Sequence, residues 1–308
     1  MKNAASFVLI LLGITPVFGG VIPESLDLAK TIKIADVHMH LMGGGGKDLI
    51  QKMNQGGVQW GGAVGGLRSD GTIRMKSALK NRYIGSLGQA EYQAVLKDKG
   101  ETGLNDMADP RFVKLFEISE KMFADKSVKV FGEIHINNEK SGGGKGYRVN
   151  TYLTTPVVLK MYEIANRHDG FVQVHSDGIE NLKDLHKIAR DFPKTTTILA
   201  HCVPFSRPNN IREFFINDLN VVCELSGNGP IFNNSRVITS DGPRTEWLEL
   251  IEEFPDRFMV GSDPCCGLAP RYNELVQALR DGLFPYLKPE TLKKVAYQNA
   301  VRLFDLKD

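Results

Sequence analysis

From Val128 onward the chain alternates short β-rich runs with helix-like stretches, and no other feature restricts its fold as much. Parallel strands need long crossover connections, and regularly interposed helices supply them. The runs are VKVFGEIH (128–135), GFVQVHS (170–176), TTTILAHC (195–202), NVVCELS (220–226) and RFMVGSDP (257–264). Helical patterns fall at 155–167, 179–191, 209–217, 244–253, 271–280 and 290–304. Pro156, Pro208, Pro243 and Pro270 stand at or just before several starts, where a missing N–H costs nothing.

Upstream, a strand is predicted over 32–38. The interval 43–103 holds 15 of the 31 glycines and no sustained periodicity. A strand near 57–64 and helices near 73–81, 89–98 and 110–123 are predicted around it. A third strand belongs in this interval but no run marks it, so long loops, forming a lid at one end, are expected after the first strands. The fold class that follows is α/β, a (β/α)8 TIM barrel, whose usual length of about 250 residues suits the 21–308 segment with insertions.

Residues 1–20 read as a cleaved signal peptide. Met1 and Lys2 give a basic start, the apolar run 7–18 is too short to span a bilayer, and Gly19 and Gly20 suit a cleavage site. Export to the periplasm or beyond the cell is therefore expected, with no membrane anchor after cleavage and one domain, 21–308. Lys and Arg number 38 against 36 Asp and Glu, a formal charge of +2, so nucleic acid is not an expected partner. A small-molecule substrate is; oligomeric state is not legible. Of the four cysteines, Cys202 and Cys223 follow apolar runs and can pair, whereas a bond between the adjacent Cys265 and Cys266 would be strained.

Chemistry concentrates at the strand ends. In Asp36-Val37-His38-Met39-His40, alternation puts Asp36, His38 and His40 on one side, so two imidazoles can grip one ion with Asp36 as an outer partner. Glu133 ends VKVFGE with His135 beyond it, His175 ends GFVQVH, His201 ends TTTILAH and Asp263 ends RFMVGSD. In a parallel barrel these C-terminal ends converge on one rim. Five of the seven histidines lie there, leaving His168 and His186 on helix surfaces. Ser226 lacks a nucleophile elbow, and a His201–Cys202 dyad fails because neighbours on a strand face opposite sides.

The motifs DVHMH, GEIH, VHSD, AHC, GSDP and the closing YQNAVRLF together resemble the amidohydrolase superfamily, specifically its amidohydrolase-2 branch. The resemblance covers most of 21–308. It implies His38 and His40 as first-strand metal ligands and His175 as the fifth-strand ligand. It also implies His201 as ligand or acid/base on the sixth strand, and Asp263 as ligand or base on the eighth. Where many members carry a carboxylated lysine on the fourth strand, this chain has Glu133, a carboxylate able to bridge two ions. The related decarboxylases hold one zinc, so one or two divalent ions, zinc foremost, are implied. His135 is a candidate substrate contact. The function expected is metal-dependent hydrolysis of a small ester, lactone or amide. The alternatives are non-oxidative decarboxylation at the same site, or a non-catalytic barrel that binds metal or solute.

Overall fold

The computed structural model describes residues 19–40, 46–65, 72–141, 146–234 and 236–307. Residues 1–18, which carry most of the expected signal peptide, and 41–45, which hold the first three glycines of the 43–46 tract, lie outside these. Eight parallel strands alternate with helices. They are β1 (Ile34–Asp36), β2 (Val58–Gly62), β3 in two pieces (Tyr83–Ile84 and Ser86–Gly88), β4 (Val130–Asn137), β5 (Phe171–Ser176), β6 (Thr196–Leu199), β7 (Val221–Glu224) and β8 (Phe258–Met259).

Each strand pairs in parallel with the next, from Ile34 opposite Val58 round to Cys223 opposite Phe258. The ring closes where Asp36 bridges Val260 in parallel and the Val37 N–H donates to the Val260 carbonyl at 3.1 Å. One buried cluster contains a residue from every strand: Ala35, Trp60, Ile84, Val130, Phe171, Ile198, Val222 and Met259. It packs on Ala300 and Phe304 of the last helix, so the barrel has a solid apolar floor at its N-terminal end. The larger apolar cluster brings helix residues such as Phe112, Met161 and Leu250 together with strand residues such as Phe131 and Val172.

The unmarked third strand is 83–88. It is only six residues long and is interrupted by Gly85, where a Cβ would stand 2.1 Å from the Ser127 carbonyl oxygen. Gly85→Ala is expected to cost about 2–3 kcal/mol through this backbone clash, and denaturant unfolding would read it. The glycine-rich interval is also more regular than expected. Helices Gly46–Gly56, Thr72–Leu79 and Gln89–Lys99, together with β2 and β3, occupy much of its described part. The helix predicted over 179–191 is split into a 3-10 turn, Ile179–Leu182, and Leu185–Asp191. The last helix carries a π segment at Lys294–Gln298.

Candidate metal centre

All seven strand-end candidates meet at the C-terminal rim, around Glu133. Its Oε2 lies 3.4 Å from His38 Nε2, 3.7 Å from His40 Nε2 and 3.3 Å from His135 Nε2. Its Oε1 lies 2.8 Å from His175 Nδ1 and 3.2 Å from His201 Nε2. Asp263 Oδ1 sits 3.2 Å from His40 Nε2 and 3.6 Å from His38 Nε2. Three groups of ligand atoms each fall within 4.8 Å: His38, His40 and Asp263; His38, Glu133 and His201; Glu133, His135 and His175.

The surroundings fix which ring nitrogen faces inward. Glu224 Oε1 accepts from His38 Nδ1 at 2.9 Å, so Nε2 is the His38 nitrogen that faces the centre. For His201, Nδ1 is taken up by the Ser226 carbonyl at 3.1 Å and hydroxyl at 2.9 Å. His175 is turned the other way, its Nε2 lying 3.3 Å from Asp177 Oδ1 and 2.9 Å from Ser141 Oγ. Asp177 in turn accepts the backbone N–H groups of Lys140 and Ser141.

His201, Cys202 and Val203 are consecutive residues with φ of 54°, 52° and 58°. A left-handed backbone costs about 1–2 kcal/mol per residue. Two neighbours hold this turn. Glu224 Oε1 accepts the His201 N–H at 2.7 Å, and a buried disulfide joins Cys202 to Cys223 with Cα atoms 4.9 Å apart, as the sequence allows.

Burial opposes charge at each of these groups, and opposite charges overcome it at all but His135. The carboxylates of Glu133, Glu224 and Asp263 raise His38 well above the usual imidazole range. Against the upward push of burial, His38 and His135 hold Glu133 well below the usual carboxylate range, and His38 and His40 likewise hold Asp263 low. Despite burial, Asp177 and Glu133 lift His175 to about 9. For His135 burial wins and the pKa falls.

A divalent ion fits this donor set. His38 Nε2 and His40 Nε2 face each other at 3.2 Å, and Asp263 Oδ1 is buried with no aligned donor although two ring nitrogens stand beside it. Converging nitrogen and carboxylate lone pairs are what a divalent cation satisfies.

Asp36 requires a correction. Its carboxylate touches neither imidazole ring; it accepts the Ser262 hydroxyl and N–H, the Tyr272 hydroxyl and the His38 backbone N–H, tying β1 to the segment after β8. Burial raises its pKa despite these bonds. The outer role expected of it falls to Glu224, which the sequence reading passed over. The available signal was a carboxylate inside the apolar run NVVCEL, a burial tolerated only with partners. Asp177 was likewise visible in VHSD without a role. His168 and His186, as expected, stay outside the centre, paired with Glu120 and Asp218.

A cavity of about 1090 Å³ opens over the centre and is lined by His40, Glu133, His135, His175, His201 and Asp263. Farther out its wall carries Lys140, Arg207, Arg236 and Arg244, against one further carboxylate, Glu246. The Arg236 guanidinium carbon lies 5.0 Å from the centroid of the Phe205 ring, and Lys140 Nζ 5.9 Å.

A family model described as Amidohydrolase matches residues 139–306. Among solved structures, the apo form of ATU3138 from Agrobacterium tumefaciens is similar with a TM-score of 0.52 and 15% identity, over 89% of this chain and 96% of that one. The 5-carboxyvanillate decarboxylase of Sphingomonas paucimobilis gives 0.46 and 14%, over 84% and 83%. A Pseudomonas putida protein provisionally named as a 2-pyrone-4,6-dicarboxylic acid hydrolase gives 0.49 and 14%, over 85% and 87%. No curated protein sequence matches.

Proposed function

This chain belongs to the amidohydrolase family, and on that premise we propose that it is a metal-dependent hydrolase of small anionic esters, lactones or amides, holding two divalent ions, zinc foremost. The observation that carries this reading is Glu133, whose two oxygens face separate imidazole sets. His38, His40, Asp263 and Glu133 Oε2 would hold one ion; His175, His201 and Glu133 Oε1 the other. Bound divalent ions supply Lewis acidity and bring the pKa of water toward neutrality.

The chain's own residues do the rest. Asp263 Oδ1 takes the proton of the attacking water and passes it to the leaving group. His135, at the cavity wall beside Glu133, contacts the substrate. Glu224 and Asp177 keep His38 and His175 in the tautomers that face the centre. Lys140, Arg207 and Arg236 favour an anionic substrate and orient it, with Phe205 as an apolar shelf.

Arg236→Ala is expected to raise KM about tenfold with kcat nearly unchanged, the signature of lost uniform binding; steady-state kinetics reads it. The class is tested on a panel of small carboxylated esters, lactones and amides. Hydrolysis that vanishes on exhaustive chelation and returns with zinc or manganese is expected. Full turnover after chelation would overturn the reading, and carbon dioxide release would replace hydrolysis with decarboxylation.

Export belongs to the same proposal. The Cys202–Cys223 disulfide supports it, since such bonds persist in oxidising compartments. No helix of the described residues is long and apolar enough to cross a membrane. Amino-terminal sequencing of protein from the native host would find a start near Gly20 or Val21; an intact Met1 would contradict export.

A further inference from the structure

Cys202 and Cys223 are committed to each other, which leaves Cys265 and Cys266 as free cysteines. Their Sγ atoms lie 2.7 Å apart, close to the about 2.05 Å of a sulfur–sulfur bond. Both side chains line the cavity that holds His40 and Asp263, and Cys266 is exposed. The segment that carries them is fixed at both ends. The Asp263 N–H donates to the His38 carbonyl at 2.8 Å, and the Leu268 N–H closes a turn onto the Cys265 carbonyl at 2.8 Å. Within that turn Cys266 and Gly267 both have positive φ, 56° and 92°, and nothing stands within 4 Å of a Cβ built on Gly267. The two thiols are thus held together on the cavity wall.

We propose that Cys265 and Cys266 are a thiol-modification site: a dithiol that small-molecule disulfides close reversibly into a ring on the cavity wall. The Cys266 sulfur, as thiolate, attacks one sulfur of RSSR, forms a mixed disulfide and expels RSH. The Cys265 sulfur then attacks Cys266 Sγ and expels the second RSH. One sulfur–sulfur bond forms and one breaks; the cysteine pair loses two electrons, RSSR gains them, and both thiol protons leave on RSH. The ring is easily reopened. Neighbouring Cα atoms are about 3.8 Å apart, below the usual range for a disulfide, and strained disulfides are the reducible ones. Cys202–Cys223, buried and with Cα atoms 4.9 Å apart, is not strained in this way.

The proposal rests on the functional reading only in taking this cavity as the substrate's, and its test needs no substrate. The purified full-length protein is equilibrated in reduced and in oxidised glutathione and trapped with an alkylating reagent, and the 265–266 peptide is weighed. Two alkylations in reduced buffer are expected. In oxidised buffer none is expected, with loss of two hydrogens and no glutathione adduct, and the change reverses on reduction. Cys265→Ser should instead retain glutathione on Cys266, because the expelling sulfur is gone. Two alkylations that persist in oxidised buffer, or a stable adduct on the unmodified sequence, would overturn the site. A protein that closes the ring but hydrolyses nothing would count against the functional reading alone.

Discussion

Glu133→Gln is expected to leave the protein with at most one bound ion and to lower kcat/KM by about 10³–10⁴-fold. The carboxylate spans the gap between two imidazole sets, with Oε1 2.8 Å from His175 Nδ1 and Oε2 3.4 Å from His38 Nε2. An amide keeps the shape but puts an NH2 where one of these lone pairs must face a cation, and it removes the negative charge that two ions would share. Elemental analysis beside steady-state kinetics checks both halves. A variant that keeps two ions and most of its turnover would leave Glu133 as a bystander.

Glu224→Gln is the second large effect, although this residue would touch neither ion. Its carboxylate accepts four hydrogen bonds: from His38 Nδ1, the His201 N–H, the Ser226 N–H and the Ser226 hydroxyl. Burial opposes its charge, and His38 and His201 nevertheless hold its pKa down. A glutamine must turn an NH2 toward one of these donors. Even with that NH2 on the side of the Ser226 N–H, the neutral amide oxygen is a weaker acceptor for His38 Nδ1 and the His201 N–H, so the His38 ring is less firmly locked with Nε2 inward and the left-handed His201 turn less firmly anchored. Metal affinity should fall about 10–100-fold and stability by about 2–4 kcal/mol. Calorimetric metal titration and denaturant unfolding measure the two separately. Lost stability with unchanged metal affinity would reduce Glu224 to a packing element.

The barrel was legible from Val128 onward because each of those strands is a compact apolar run bounded by a helix with its own period. It was obscure before that because 83–88 is short, and Gly85 sits where the Ser127 carbonyl leaves no room for a side chain. The ligand candidates could be read because each ends a strand, and parallel closure carries all such ends to one rim. What holds them could not. Alternation suggested Asp36 as the partner of the two histidines, but its carboxylate is taken by Ser262 and Tyr272, contacts more than two hundred residues away in sequence. Glu224 reaches His38 across 186 residues, and no local pattern encodes that pairing.

The central claim is a centre bridged by Glu133, and metal content per chain tests it most directly. After loosely bound ions are removed, elemental analysis of the purified protein should give two equivalents. One equivalent, unchanged by Glu133→Gln, would contradict the bridge. No metal, even after reloading with zinc or manganese, would contradict the centre itself.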